Sequence, residues 1–380
     1  MNPKRPLLLL LTPGFPASAD DSACLPMHAL FVRTLAAHYP SVDILVVAFQ
    51  YPYRKEDYRL HGAAVLPMNG RNGRGLFAWK LRRKVLRTLL RLASQQPVVG
   101  VLSFWYADCA AVGERFAQRT GLPHYCWILG QDARAANRWP ARLAIPPERL
   151  LALSPFLKSE FMRNHHRVPA HLLLPGIDPA LFAAPAPPRD IHLMAAGSLI
   201  PLKRFERFVQ LVARARQQLP ELRAVLAGAG PEETRLKALA LQLGVDRHIC
   251  FTGVLPQPDV LTLMQRTRVF VHPSSYEGFS GVCMEALAAG AHVVSHFGAM
   301  ETEVPQWHIV PENDRLLGEV LRLLKAPPPR APVQPFLMTD TVRTIASFFP
   351  GLAAAEEVVD LPGNGPEREL PLKFPDEPRA

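Results

Sequence analysis

The chain has 380 residues, 48% of them hydrophobic and 20% charged, with a formal net charge of +10. That length exceeds one typical core and predicts two domains, while the composition excludes a disordered or fibrous chain. The five cysteines (Cys24, Cys109, Cys126, Cys250, Cys283) are scattered and form no C-x-x-C pair. This argues against a disulfide framework or structural zinc, and for a reducing compartment.

The first nineteen residues imitate a secretory signal, with a basic start, an apolar run and an A-x-A. The run Leu7 to Leu11 is short of the roughly 7–15 residues such a signal needs, and prolines interrupt the segment. The reading adopted is the first buried strand of a parallel sheet. No run of about 18 apolar residues occurs, so no membrane span is predicted. Further short apolar runs at 42–47, 98–103, 124–129 and 150–153 read as strands. Segments 25–38, 76–95, 109–120 and 155–164 read as helices between them. Alternation of this kind implies βαβ units and a parallel sheet covered on both faces.

Within the first half, no acid occurs between Tyr58 and Ala107, while nine Lys or Arg do. In the helix at 76–95, Lys80, Lys84, Arg87 and Arg91 recur at helical spacing. Phe77, Leu81, Val85, Leu89 and Leu92 form an opposed apolar stripe expected to pack on the sheet. The basic face is either a solvated surface or a site for a lipid phosphate or membrane surface, and the spacing leaves both open. Positive charge confined to one helix argues against a nucleic-acid partner.

Five prolines between Pro175 and Pro188 mark a linker. A second alternating series follows, with strands at 191–196, 222–226, 249–253, 269–272 and 292–295. Helices are predicted at 205–219, 233–243, 259–266, 281–289 and 315–324. The domains are therefore placed at 1–174 and 191–335, with a linker at 175–190. A helix at 339–349, within segment 336–350, is expected to cross back to the first domain. Residues 351–380 hold seven acids against three bases and many prolines, and are expected to be largely disordered.

The chemistry concentrates in H-P-S-S-Y-E-G-F-S-G-V-C-M-E-A-L, starting at His272. It follows a β-branched strand and enters a helix, with Glu277 before the helix and Glu285 inside it. In open α/β sheets, the carboxyl edge of the strands faces the ligand crevice. A helix N-terminus there offers free N–H groups and the positive end of a dipole, which favours an anion. Gly278 and Gly281 leave the backbone approachable. Two carboxylates repel a phosphate, but they suit hydroxyls on either side of one. Taken alone, the pair is better read as a helix cap, Glu277, and a solvated face residue, Glu285. His272 and His296, solitary at strand ends, read as structural residues rather than metal ligands. Gly14, ending the first strand, fits a phosphate loop and an ordinary turn equally.

With its neighbours, the stretch resembles the E-x7-E signature of retaining glycosyltransferase family 4, among the glycosyl transferases of group 1. A-A-G-S-L-I-P-L-K-R-F resembles that family's segment ending in a phosphate-binding lysine, here Lys203. L-L-P-G-I-D, L-A-G-A-G-P-E and I-C-F-T-G-V-L match further landmarks in order, so the resemblance is specific over about 172–325. It implies the α/β GT-B fold, two Rossmann-like doubly wound parallel-sheet domains facing each other across a cleft. It also implies sugar transfer from a nucleotide diphosphate to an acceptor hydroxyl on a glycan or lipid-linked molecule, as in polysaccharide biosynthesis. Glu277 and Lys203 would be catalytic. Glu285 would read the ribose, while Gly278, Phe279, Ser280, Gly281, Gly197, Ser198, Gly14 and Val254 would complete the donor site.

No D-x-D occurs in the chain, so no metal and no cofactor beyond the donor are expected, and Lys203 and the helix would carry the diphosphate charge. The expected location is cytoplasmic, with peripheral contact at the inner membrane surface left open by the two readings of the basic helix. Two departures stand out. Ser198 occupies the place of a common arginine, and Leu129, Gly130, Gln131 and Asp132 replace a loop that often holds a histidine. The loop H-F-G-A-M-E-T-E-V is altered too, leaving the correspondence of Glu301 or Glu303 open. These departures keep two rivals in view: a non-catalytic nucleotide-sugar or glycan binder, and a sugar-nucleotide epimerase of the same fold.

Overall fold

In a computed structural model of the chain, the described residues are 5–21, 24–182, 187–311, 313–327 and 331–353. They fold as two compact units. One runs to Asp178 and resumes at Phe336; the other is the continuous stretch Pro179–Pro335.

The first unit begins with β1 (Leu7–Gly14), α1 (Pro26–His38), β2 (Asp43–Tyr51), β3 (Tyr58–Leu60), β4 (Ala63–Pro67), α2 (Leu76–Gln95) and β5 (Val98–Phe104). It continues through α3 (Asp108–Thr120), β6 (His124–Ile128), α4 (Trp139–Arg142), β7 (Leu150–Ala152), α5 (Pro155–His165) and β8 (His171–Leu172). The sheet order is β3-β4-β2-β1-β5-β6-β7-β8, parallel throughout except for the β3–β4 hairpin. Leu7 to Leu11 are all buried because β1 lies mid-sheet with both faces covered. Their apolar run is a strand.

Along α2, Leu81, Val85 and Leu89 are buried as expected, but Phe77 is not part of the packed stripe. It is exposed, together with Leu76 and Trp79. The helix starts at Leu76, after its cap residue Gly75, and its first turn precedes the stretch that packs in the core, so Phe77 has no apolar surface to cover it.

The second unit holds β9 (Ile191–Ala196), α6 (Phe205–Arg216), β10 (Ala224–Ala227), α7 (Glu233–Gln242), β11 (Ile249–Gly253), α8 (Gln257–Gln265) and β12 (Thr267–His272). Then come α9 (Gly281–Ala288), β13 (His292–Ser295), β14 (Trp307–Ile309) and α10 (Asn313–Lys325). Its six parallel strands are ordered β11-β10-β9-β12-β13-β14. This is the Rossmann order, and it reverses between β9 and β12. Helices α6, α7 and α10 cover one face with Phe208, Val212, Leu236, Val320 and Leu324.

After Pro335 the chain returns to the first unit through α11 (Met338–Ser347) and α12 (Pro350–Ala353). Where it leaves and re-enters, Ile177 pairs with Leu337 as a parallel bridge. The Ile177 N–H donates to the Phe336 carbonyl and the Met338 N–H to that of Ile177, at 3.0 and 2.8 Å. Gly176 is needed beside this bridge, since a Cβ there would stand 2.0 Å from the Leu337 carbonyl carbon. Asp178 is buried and ion-paired with Arg33 of α1 at 2.7 Å. The proline-rich stretch is therefore tied down at its start. Residues 351–353, expected to be disordered, instead form the end of α12 with Leu352 buried. The remainder of that tail, 354–380, lies outside the described residues.

Candidate active site

The reversal in strand order splits the loops after β9 and β12, and from these two loops come Lys203 and Glu277. Each is positioned by backbone. After β9 the chain turns through a short 3-10 helix, Pro201–Lys203, and leaves it at Arg204 in the left-handed region (φ 52°). After β12 the loop clips onto that turn. The Ser275 N–H and hydroxyl both donate to the Leu202 carbonyl at 3.1 Å, and the Ser274 hydroxyl reaches it at 3.4 Å. Lys203 is thereby brought against Glu277, and its ammonium pairs with the Glu277 Oε1.

The same oxygen accepts from His272 Nε2 at 2.9 Å. His272 is the last residue of β12 and is buried, and its Nδ1 has no hydrogen-bond partner. The expectation of a structural histidine missed this role. No regular spacing signals it, because its partner lies across a turn five residues on. Burial alone would raise the Glu277 carboxyl. The His272 hydrogen bond and the Lys203 charge outweigh it and hold the group down at about 2. Glu277 is thus an ionised, oriented acceptor and not a helix cap. The cap position of α9 is Ser280.

Ser280 is itself left-handed (φ 66°) and points its hydroxyl to the Cys283 sulfur at 3.0 Å, so no side chain caps the helix. Gly281 opens α9, and a Cβ built there would meet nothing within 4 Å. One turn on, Glu285 accepts from Gln257 Nε2 of α8 at 2.6 Å. Burial pushes its carboxyl up to about 7, against the lowering effect of that bond. Phe279 is buried and Val254 exposed on the loop entering α8. Among the described residues, no group of three or more His, Cys, Asp or Glu is placed to hold a metal ion.

Glycines knit the neighbouring loops together. Gly197 (φ 144°) follows β9, and Gly228 (φ 127°) follows β10 so closely that a Cβ on it would stand 2.0 Å from the Gly197 carbonyl oxygen. Ser198 is exposed beside them. Gly14, the remaining donor-site candidate, lies in the first unit at the end of β1, packed beside Cys24 and Tyr51. Elsewhere in that unit, Asp132 is buried. Its carboxylate accepts from the Leu129 N–H at 2.9 Å, and burial pushes it up to about 7. Asp132 holds its own loop and does not present a carboxylate to a ligand.

These features coincide with a family match. Residues 180–330 match the model for "Glycosyl transferases group 1". That segment is a group 1 glycosyl transferase domain. The chain is 27% identical over 202 residues to the uncharacterized glycosyltransferase YqgM of Bacillus subtilis, covering 50% of this chain and 56% of YqgM. It is 32% identical over 128 residues to the lipopolysaccharide core biosynthesis glycosyltransferase LpsE of Rhizobium meliloti, covering 34% of this chain and 35% of that one. The chain thus spans about half, or less, of the length of these curated relatives.

The fold likeness is broader. HepE from Anabaena, solved with UDP, superposes with a TM-score of 0.60 at 17% identity over 91% of this chain and 96% of HepE. The fold is GT-B, as expected. The glycosyl transferase domain contains Lys203, Glu277, Glu285 and the loops between them.

The first unit holds a second polar cluster with a catalytic look. The Ser103 hydroxyl lies 2.9 Å from His124 Nε2, and His124 Nδ1 lies 3.1 Å from Glu114 Oε2. All three are buried, so Ser103 has no access to a substrate. The cluster fastens β5, β6 and α3 together, and Gly113 makes room for the imidazole.

Proposed function

We propose that the protein is a retaining, metal-independent glycosyltransferase that moves a sugar from a nucleotide diphosphate to an acceptor hydroxyl. The observation that carries this reading is Glu277 held ionised between Lys203 and His272, beside the uncapped N-terminus of α9. Glu277 accepts hydrogen bonds from the donor sugar, and Glu285 accepts them from the ribose. As the glycosidic bond breaks, charge accumulates on the departing diphosphate. Lys203 and the first-turn amides of α9 stabilise that charge in place of a metal, because they are fixed before the reaction starts. HepE was solved with UDP and with UDP-glucose, which supports a nucleotide-sugar donor. The relative LpsE, a lipopolysaccharide core biosynthesis glycosyltransferase, supports a glycan or lipid-linked acceptor.

A thermal-shift screen against uridine, guanosine and adenosine diphosphate sugars identifies the donor, since a ligand that binds only the folded state raises its melting temperature. Nucleotide release from that donor, followed with EDTA present, then tests the reaction. Glu277→Ala is expected to lower turnover about 100-fold or more. Turnover that ignores this substitution, or that requires a divalent cation, overturns the reading. Tight binding without turnover selects a non-catalytic binder, the reading favoured by the uncharged Ser198.

A further inference from the structure

His272 and His296 each carry a buried ring nitrogen with no hydrogen-bond partner. The other nitrogen of each ring fixes where its proton sits. His296 Nδ1 lies 2.8 Å from the Val310 carbonyl, an acceptor, so it holds the proton and Nε2 is bare. His272 Nε2 donates to Glu277 Oε1 at 2.9 Å, which leaves Nδ1 bare in the neutral ring. The rings stand at the ends of adjoining strands, since His272 pairs in register with Ser295, the residue before His296. A charge on His272 is close enough to act on His296.

A proton on that bare nitrogen has a use once a donor binds. Glu277 Oε1 accepts from both Lys203 and His272, and its side chain is only 15% exposed. One ammonium cannot neutralise both this carboxylate and a diphosphate. As Lys203 turns to the diphosphate, Glu277 is left buried and ionised beside an imidazole, and a buried charge without a counter-charge is costly. We infer that His272 takes up a proton from solvent when a nucleotide diphosphate sugar binds, so that its imidazolium replaces Lys203 as the cation holding Glu277. This rests on the donor reading above and goes beyond it: His272 is a positioning residue, and donor binding is linked to pH.

The groups around His272 permit this. Burial pushes the Cys283 thiol of α9 up to about 12, so it stays neutral. Burial also holds His296 below its ordinary range, leaving it neutral and able to accept. Arg204 and Arg207, at the start of α6, act on His296 and oppose a further positive charge, against which Glu277 is in direct contact. Glu285, raised to about 7 by burial, is the other group that could exchange a proton with the ligand.

Calorimetric titration of the full chain with UDP-glucose, GDP-mannose and ADP-glucose, in HEPES and in Tris at about pH 7.5, tests the inference. Binding heats are expected to differ between the buffers by an uptake of about half a proton or more per site. Affinity is expected to fall as pH rises, by up to about tenfold per unit. His272→Gln keeps a donor toward Glu277 but cannot become a cation, so the uptake and the pH dependence are expected to vanish. In Glu285→Gln the uptake is expected to persist. Binding without uptake, uptake that survives His272→Gln, or its loss in Glu285→Gln overturns the inference and leaves the donor reading intact. Binding of none of the three sugars overturns the donor reading, and this inference with it. In the wild type, the His272 ring nitrogen-15 signals are expected to move to imidazolium values on binding. Signals that stay neutral overturn the inference even where His272→Gln fails to fold.

Discussion

Glu277 and Glu285 share one helix entry, yet their surroundings push their protons in opposite directions. Glu277 is held at about 2, below its ordinary 4.5, so its contribution to stability is present above pH 4.5 and lost as pH falls through about 2. Glu285 is raised from 4.5 to about 7, so the fold favours its protonated form, and stability is lost as pH rises between those values. Glu285→Gln removes that loss. The variant is expected to gain on the wild type between about pH 5 and about pH 8, by on the order of 3 kcal/mol. Calorimetric melting at both pH values checks this, and parallel pH dependence would refute it. The sequence singled out both carboxylates through the resemblance of their neighbours to a family signature, since their spacing alone is uninformative. The role of His272 was not legible, because a contact made across a turn leaves no periodic mark.

At the scale of elements, the site depends on α9 beginning where it does. Gly281 has open space on its side-chain face, so Gly281→Val is expected to fold normally while its branched side chain stands over the helix N-terminus. The expected outcome is at least a tenfold loss of nucleotide-sugar affinity in a binding titration, with melting shifted by roughly 1 kcal/mol or less, as for a tolerated surface change. Unchanged affinity would remove the first turn of α9 from the donor site. Strands β9, β10, β12 and β13 were readable because each carries a buried apolar run, and β11 from its I-C-F start, of which only Ile249 is buried. The β3–β4 hairpin was not. Its turn is His61-Gly62, with φ of 52° and 80°, a left-handed pair without the usual Asn-Gly signal. Three-residue β14 at the sheet edge is too short to carry a pattern. The exposure of Phe77 was hidden as well, since helical spacing assigns a face but not how far the packing beneath it extends.

At the scale of the whole molecule, the first unit is discontinuous in sequence. Its core includes Val342, Ile345 and Phe349 from the returning segment, all buried. Gly100 of β5 leaves space for the Phe349 ring, since a Cβ there would stand 2.5 Å from it. Ending the chain after Pro335 is expected to destabilise the first unit by several kcal/mol, as for loss of buried aromatic and aliphatic side chains. Hydrogen exchange resolved by peptide checks this: protection is expected to fall in β1 and β5 and to persist in β9 and β12, and a uniform fall would contradict it. The alternating pattern made two α/β domains legible. The pairing of Ile177 with Leu337 was not, because it joins residues 160 positions apart. That return path has a consequence for synthesis. Domains commonly fold in order as they leave the ribosome. Here the stretch from Pro179 to Pro335 is complete before Phe349 has been made, so of the two units the one begun first is finished last, and its place beside Gly100 stays unfilled until Phe349 has been made.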